Sequence, residues 1–244
     1  MPIQKLIASL RRSNPAMWLR RPYRKFFCKL EDNGINSESS LWFVKESRGV
    51  IHVGASTGQE AWIYALFGKP VFWFEPIPDV CERLKANVSK YRKQIAIEAL
   101  VTDTDDTEYD FNVSDNDGGS SSIFEMDEHS KLYPGIDYFK TVRLTSITLD
   151  SAVLAYRIPS KIDALVLDTQ GSELLVLKGA VKKLPQLRWV FAECADFSLY
   201  KNSCQCSDIT SFLEEQGFKE TKRYKKATLE GHGSCYDVLY SRIL

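Results

Sequence analysis

The sequence predicts an α/β fold: a doubly wound, mostly parallel sheet with a C-terminal antiparallel hairpin. Short apolar runs (GVIHV, VFWF, ALVL, WVFA) alternate with segments of helical periodicity, the rhythm of successive βαβ units. The last two strand-like segments, Phe218–Tyr224 and Tyr236–Ser241, flank a turn carrying Gly231 and Gly233 and read as the hairpin. An antiparallel pair at the edge of a mostly parallel sheet is a common variation.

Taken in order, Gly49–Val53 is a buried strand that stops at Gly54. Gln59–Phe67 is a helix ended by Gly68 and Pro70, and Val71–Phe74 is the second strand. Asp79–Tyr91 carries Val80, Leu84 and Val88 at fourfold spacing, one face of a helix, and Ile95–Val101 is the third strand. Asp103–Asp117 holds seven acids and no base around a short strand at Tyr109–Val113, and reads as a solvated face. Its Asp115–Gly119 run lacks the offsets of a calcium loop. Gly118–Ser122 is expected to be a mobile loop. Val142–Leu149 alternates as a strand, Ala164–Leu167 is a strand ending at Asp168, and Ser172–Lys178 is a helix closed by Gly179. Trp189–Ala192 is a strand ending at Glu193, and Ile209–Gln216 is a helix capped by Gly217.

At 244 residues the chain suffices for one large domain with an appended arm, and 44% hydrophobic with 26% charged residues excludes wholesale disorder. No uncharged apolar run is long enough to span a bilayer. The zero formal charge is a cancellation: residues 1–30 carry eight basic side chains and no acid, which leaves −8 on the rest. We therefore expect a basic arm over 1–40 and a folded domain over 41–244. The arm suits peripheral contact with an anionic surface, whereas the acidic body argues against a nucleic-acid partner. The six cysteines lack the regular spacing of a disulfide framework or a zinc site, and no secretory signal begins the chain. Free thiols and a cytoplasmic location are the expectation.

Ligands of such sheets bind beyond the C-terminal ends of the strands. That rule nominates the loop Gly54–Gly58, Glu75, Ala99–Val101, Asp168 and Glu193. The loop's G-x-x-x-G lacks both the dinucleotide fingerprint and a Walker lysine. Glu75 follows Gly54 by 21 residues, at the end of the second strand, where a carboxylate can accept from ribose hydroxyls. Together they point to a nucleoside-type cofactor and leave its identity open.

HVGASTG, FWFEP at Phe72–Pro76, Gly118–Ser122, LVLDTQGSELLVLKGA at Leu165–Ala180 and AECADFSLY at Ala192–Tyr200 together resemble the FkbM family of S-adenosylmethionine-dependent methyltransferases. The resemblance covers roughly residues 49–220 and implies a class I, Rossmann-like methyltransferase fold. It also implies S-adenosylmethionine held by His52, Gly54, Ala55, Ser56 and Gly58 at the methionine end. Glu75 and Pro76 would hold the ribose, and Ala99 and Leu100 would border the adenine. His52 stands where an acid is usual in such families; a packed histidine is the structural alternative. Gln170 replaces a frequent acid of the LDTQGS segment.

Methyl transfer to an alcohol needs alignment and removal of a proton. Asp168 is the expected general base, with Glu193 its partner; Asp168 as a cap of the following helix is the structural alternative. A divalent metal fits this chemistry but is not expected here. Tyr200 and His232 are secondary candidates on the acceptor side. The expected activity is O-methylation of a small molecule, most simply a sugar or glycan. N-methylation and an inactive cofactor-binding scaffold remain as alternatives.

Overall fold

A computed structural model describes residues 38–243. The chain divides after Phe43 into two compact units, the second of which, from Val44 onward, contains the sheets. The expected basic arm lies outside the described residues apart from its last positions, where a 3-10 helix runs over Glu38–Lys45.

The elements of the second unit are β1 (Val50–Val53), α1 (Ala61–Leu66), β2 (Val71–Glu75), α2 (Pro78–Val88), β3 (Gln94–Glu98), β4 (Leu100–Thr102) and β5 (Glu108–Ser114). They continue with α3 (His129–Leu132), β6 (Tyr138–Thr148), α4 (Leu149–Ala155), β7 (Ala164–Leu167) and α5 (Glu173–Lys178). The chain ends with β8 (Trp189–Ala195), α6 (Cys206–Glu215), β9 (Phe218–Leu229) and β10 (Gly233–Arg242). The main sheet has seven strands in the order β3-β2-β1-β7-β8-β10-β9. Its first five strands are parallel, and β10 runs antiparallel to both neighbours. This is the expected doubly wound sheet with its hairpin, and the order reverses between β1 and β7.

Burial follows the sequence pattern. β1, β2 and β7 are buried at every position, as strands enclosed on both faces must be. Helix α2 starts with Pro78, whose missing N–H costs nothing in a first turn. It buries Val80, Cys81, Leu84 and Val88 and packs on β2 and β3. Each such aliphatic side chain contributes roughly 1.5–3 kcal/mol on full burial.

Three expectations need correction. Ile95–Val101 is not one strand: the chain leaves the main sheet at Ala99, and β4 joins β6 and β5 in a separate three-stranded sheet. The apolar residues on either side of Glu98 read as one run, although β3 is half exposed and β4 fully buried. Second, Leu149 opens a helix rather than ending a strand, since Thr148 Oγ1 accepts the Ser151 N–H at 3.1 Å as an N-cap. Third, not all the cysteines are free. Cys194 and Cys206 form a disulfide with Cα atoms 5.1 Å apart, tying β8 to the first turn of α6. Their spacing of 12 residues carries no signature, and it is the return of α6 against β8 that brings them together. Cys81, Cys204 and Cys235 are free thiols, and Cys28 lies outside the described residues.

Candidate active site

The loops after β1 and β7 meet at the point where the strand order reverses. Gly54 has a positive φ of 81°, and the Asp168 carbonyl occupies the space a Cβ would need there. A side chain at position 54 would drive the two loops apart. Beside this junction lies a cavity of about 560 Å³, counting its solvent-open mouth. Gly54, Ser56, Glu75, Pro76, Ala99 and Leu100, all expected around a cofactor, line it together with Asp168. Val101, Phe111 and Ile77 add an apolar wall, and Gly118, Gly119 and Ser121 a polar one.

His52, Ala55 and Gly58 lie off that wall. The His52 ring stacks on Trp73 with centroids 4.7 Å apart, and its Nδ1 is 3.0 Å from the Tyr64 hydroxyl. Burial pushes this histidine down to about 4, so it is a neutral core residue; its ring does not face this cavity, contrary to the expectation that it would help hold the cofactor. A Cβ on Gly58 would strike Leu84, so this glycine admits α2 rather than a ligand.

Glu75 is 5% exposed and is bound into the loop after β1. Its Oε2 accepts the Ser56 N–H at 2.8 Å and its Oε1 the Ile77 N–H at 3.0 Å. Each oxygen keeps a lone pair for a further donor. Burial raises its pKa to about 7 against the opposing pull of those two N–H groups.

The LDTQGS turn is held by Glu173, which sequence reasoning passed over. Its Oε1 accepts from the Thr169 N–H at 2.7 Å and the Thr169 hydroxyl at 3.1 Å, and its Oε2 accepts from the Gly171 N–H at 3.1 Å. Glu173, not Asp168, therefore satisfies the free N–H groups of this turn, which frees Asp168 for chemistry. Gln170, with φ of 54°, donates from Nε2 to Asp168 Oδ1 at 2.5 Å and accepts at Oε1 from the Tyr200 hydroxyl at 2.6 Å. Only an amide can do both: an acid at 170 would repel Asp168.

Glu193 hydrogen-bonds Asp168. Burial, then the charge of Asp168, pushes Glu193 well above the ordinary carboxylate range. Three further charged groups surround it that the sequence did not mark. Lys226 Nζ lies 2.9 Å from Glu193 Oε1 and 3.5 Å from Asp237 Oδ1. Burial raises Glu60 to about 7, and its carboxyl faces Asp168, Lys226 and Asp237. A smaller cavity adjoins here, lined by Glu193, Phe197, Leu199, Tyr200, Ser203 and Gln170 among others. Gln170 belongs to both cavities.

Tyr200 is fully buried and acts through Gln170. His232, at the hairpin tip, lies edge-on to Phe197 and 3.8 Å from Glu128. The loop expected to be mobile is cross-braced: Ser120 N donates to Ser114 Oγ, Ser122 Oγ to the Gln170 carbonyl at 2.7 Å, and Ser114 N to Ser121 Oγ at 3.0 Å. Alternating serines satisfy one another there, and Ser120–Ser122 are buried. Among the described residues, no cluster of three or more His, Cys, Asp or Glu side chains is placed to hold a metal.

A parallel sheet ending in an antiparallel hairpin, with a glycine loop, a strand-end acid and a cavity at the switch point, defines a class I methyltransferase. Residues 52–220 match the family described as "Methyltransferase FkbM domain", and the chain belongs to that family. Its cofactor is S-adenosylmethionine. A relative named 2-O-methyltransferase NoeI, from Sinorhizobium fredii, is 24% identical over 67% of this chain and 70% of its own. Looser structural likenesses include magnesium protoporphyrin IX methyltransferase (ChlM) from Synechocystis with bound SAM, at 13% identity. That match has a TM-score of 0.45 and covers 85% of this chain and 78% of the other. N-methyltransferase NodS from Bradyrhizobium japonicum is 11% identical with a TM-score of 0.47, over 88% and 99% of the two chains. The assignment rests on the family match.

Proposed function

We propose that this methyltransferase transfers the methyl group of S-adenosylmethionine to a hydroxyl oxygen of a small molecule, and that the acceptor is a sugar or glycan. The observation that carries this reading is the Asp168–Glu193 carboxyl pair at the junction of the two cavities. An alcohol must lose its proton as the new C–O bond forms, and a poised carboxylate at that point supplies the base. The 2-O-methyltransferase relative supports oxygen as the acceptor atom.

The cavity's chemistry suits the cofactor: a buried carboxyl with spare lone pairs for a diol, and an apolar wall at Leu100 and Phe111 for a flat ring. In this assignment Glu75 holds the ribose, Gly54 and Ser56 border the methionine end, and Ala99 and Leu100 flank the adenine. The bound cofactor supplies a methyl group on a positively charged sulfur. Asp168, oriented by Gln170, takes the acceptor's proton as its oxygen attacks. Glu193, already protonated, keeps Asp168 in place through their shared hydrogen bond, and the second proton leaves the pair after turnover. Phe197 and Leu199 offer an apolar face for a sugar ring, and Ser203 and Glu193 offer hydroxyl partners.

The test is methyl transfer from methyl-labelled S-adenosylmethionine to a panel of free and glycosidically linked sugars, set against amines of similar size. Label on sugar oxygen supports the reading, and label only on nitrogen refutes it. The eight basic residues of 1–30 favour peripheral contact with an anionic surface. Sedimentation with anionic vesicles, with and without residues 1–30, tests that contact.

A further inference from the structure

Strands β9 and β10 lose register between Cys235 and Tyr236. Tyr236 faces Lys225 and Cys235 faces Ala227, so Lys226 is an extra residue without a partner, a β-bulge. Bulges beside functional sites re-aim a side chain. The next strand pair shows what this one is aimed at. Glu193 on β8 stands directly opposite Asp237 on β10, and like charges so placed destabilise a sheet. Lys226 reaches both, its side chain 39% exposed while those of Glu193 and Asp237 are 16% and 18%. A row of charge thus runs from the sheet edge through Lys226, Asp237 and Glu193 to Asp168.

We propose that Lys226 is a positioning residue that keeps the Asp168–Glu193 pair singly ionised, one group free to accept the acceptor's proton and the other holding it in place. The inference rests on the base role proposed above. The other titratable groups facing the pair are Glu60 before α1, His52 on β1, Glu75 on β2, Glu173 on α5, Tyr133 after α3, Tyr200, Cys235 and Asp237. Burial keeps His52, the two tyrosines and the cysteine neutral. Lys226 is therefore the positive charge in this group. Burial opposes its ionisation, but Glu193, Asp168 and Asp237 outweigh that and hold its pKa above the ordinary value. Without the ammonium, three neighbouring carboxyls would retain protons to higher pH, and no base would be available near neutrality.

The experiment is a carbon-13 NMR titration of the side-chain carboxyls in the full chain, which needs no acceptor. In Lys226→Met the lower step of the Asp168–Glu193 pair, at which its first carboxylate forms, moves upward by about 1–3 pH units. Lys226→Arg restores the wild-type step, whereas Asp237→Asn moves it downward by removing a like charge. Affinity for S-adenosylmethionine stays unchanged in all three, because neither Lys226 nor Asp237 lines the cofactor cavity. A Lys226→Met titration that superimposes on the wild type overturns the inference. If that variant does not fold, an unmoved or upward step in Asp237→Asn overturns it. Unchanged turnover in Asp168→Asn would instead refute the base role, so the two failures are distinguishable.

Discussion

The carbonyl of Asp168 packs against the α-carbon of Gly54, filling the space a side chain there would occupy. One close approach therefore joins the loop proposed to hold the cofactor to the residue proposed as base. Gly54→Ala is expected to cost about 2–4 kcal/mol, from the positive φ and the forced separation of the loops. Thermal unfolding with and without S-adenosylmethionine measures this, and cofactor affinity should fall with stability.

Glu75 predicts a pH dependence of cofactor binding. Burial holds its carboxyl protonated up to about 7, whereas ribose hydroxyls donate best to the ionised form. Affinity for S-adenosylmethionine should rise as pH increases through about 7, with proton release on binding. Calorimetry in buffers of different ionisation enthalpy reads both. Glu75→Gln should weaken binding by about tenfold or more, the loss of a charged hydrogen bond, and abolish the proton release.

The same raised carboxyls bear on stability. Glu75 and Glu173 have ordinary values of 4.5 and folded values of about 7. Between these values the folded chain keeps protons that the unfolded chain has released. Their contribution is full below the ordinary value and is lost as pH rises to about 7, on the order of 3 kcal/mol for each group. Denaturant midpoints across that window should show a slope that Glu173→Gln reduces.

Gln170→Glu replaces the amide that donates to Asp168 and accepts from Tyr200. A carboxylate there repels Asp168 and raises the pair's proton affinity. Turnover should fall at least about tenfold near neutral pH and recover partly at higher pH, as a pH–rate profile would show. An unchanged profile would remove Gln170 from the mechanism.

Reduction of Cys194–Cys206, or Cys206→Ser, should lower stability by about 3 kcal/mol from loop-closure entropy. The disulfide follows Glu193 directly, so activity should respond as well as melting temperature.

The main sheet was legible because its strands are enclosed and apolar, and the lining of the main cavity because Gly54 and Glu75 fall at strand ends. The Asp168–Glu193 pairing followed from neighbouring strands ending in acids. What stayed hidden depends on pairing across the sheet. Lys226 belongs to a strand of exposed lysines, and nothing in that pattern marks the one that sits at a register shift with its ammonium on Glu193 and Asp237. Asp237 acquires meaning only opposite Glu193. Glu173 stands in the first turn of α5, and only the folded turn brings its carboxylate onto the Thr169 and Gly171 N–H groups. His52 sat on the predicted strand, but alternation alone could not say which side its ring would take; Trp73 and Tyr64 decide that.

The most direct test of the account is Asp168→Asn, assayed for S-adenosylmethionine binding by calorimetry and for turnover with methyl-labelled cofactor on the acceptor found in the sugar panel. We predict binding within about twofold of wild type and turnover reduced about 100-fold or more, the usual worth of a general base. Turnover near the wild-type rate with binding intact would contradict the assignment of Asp168 as the base.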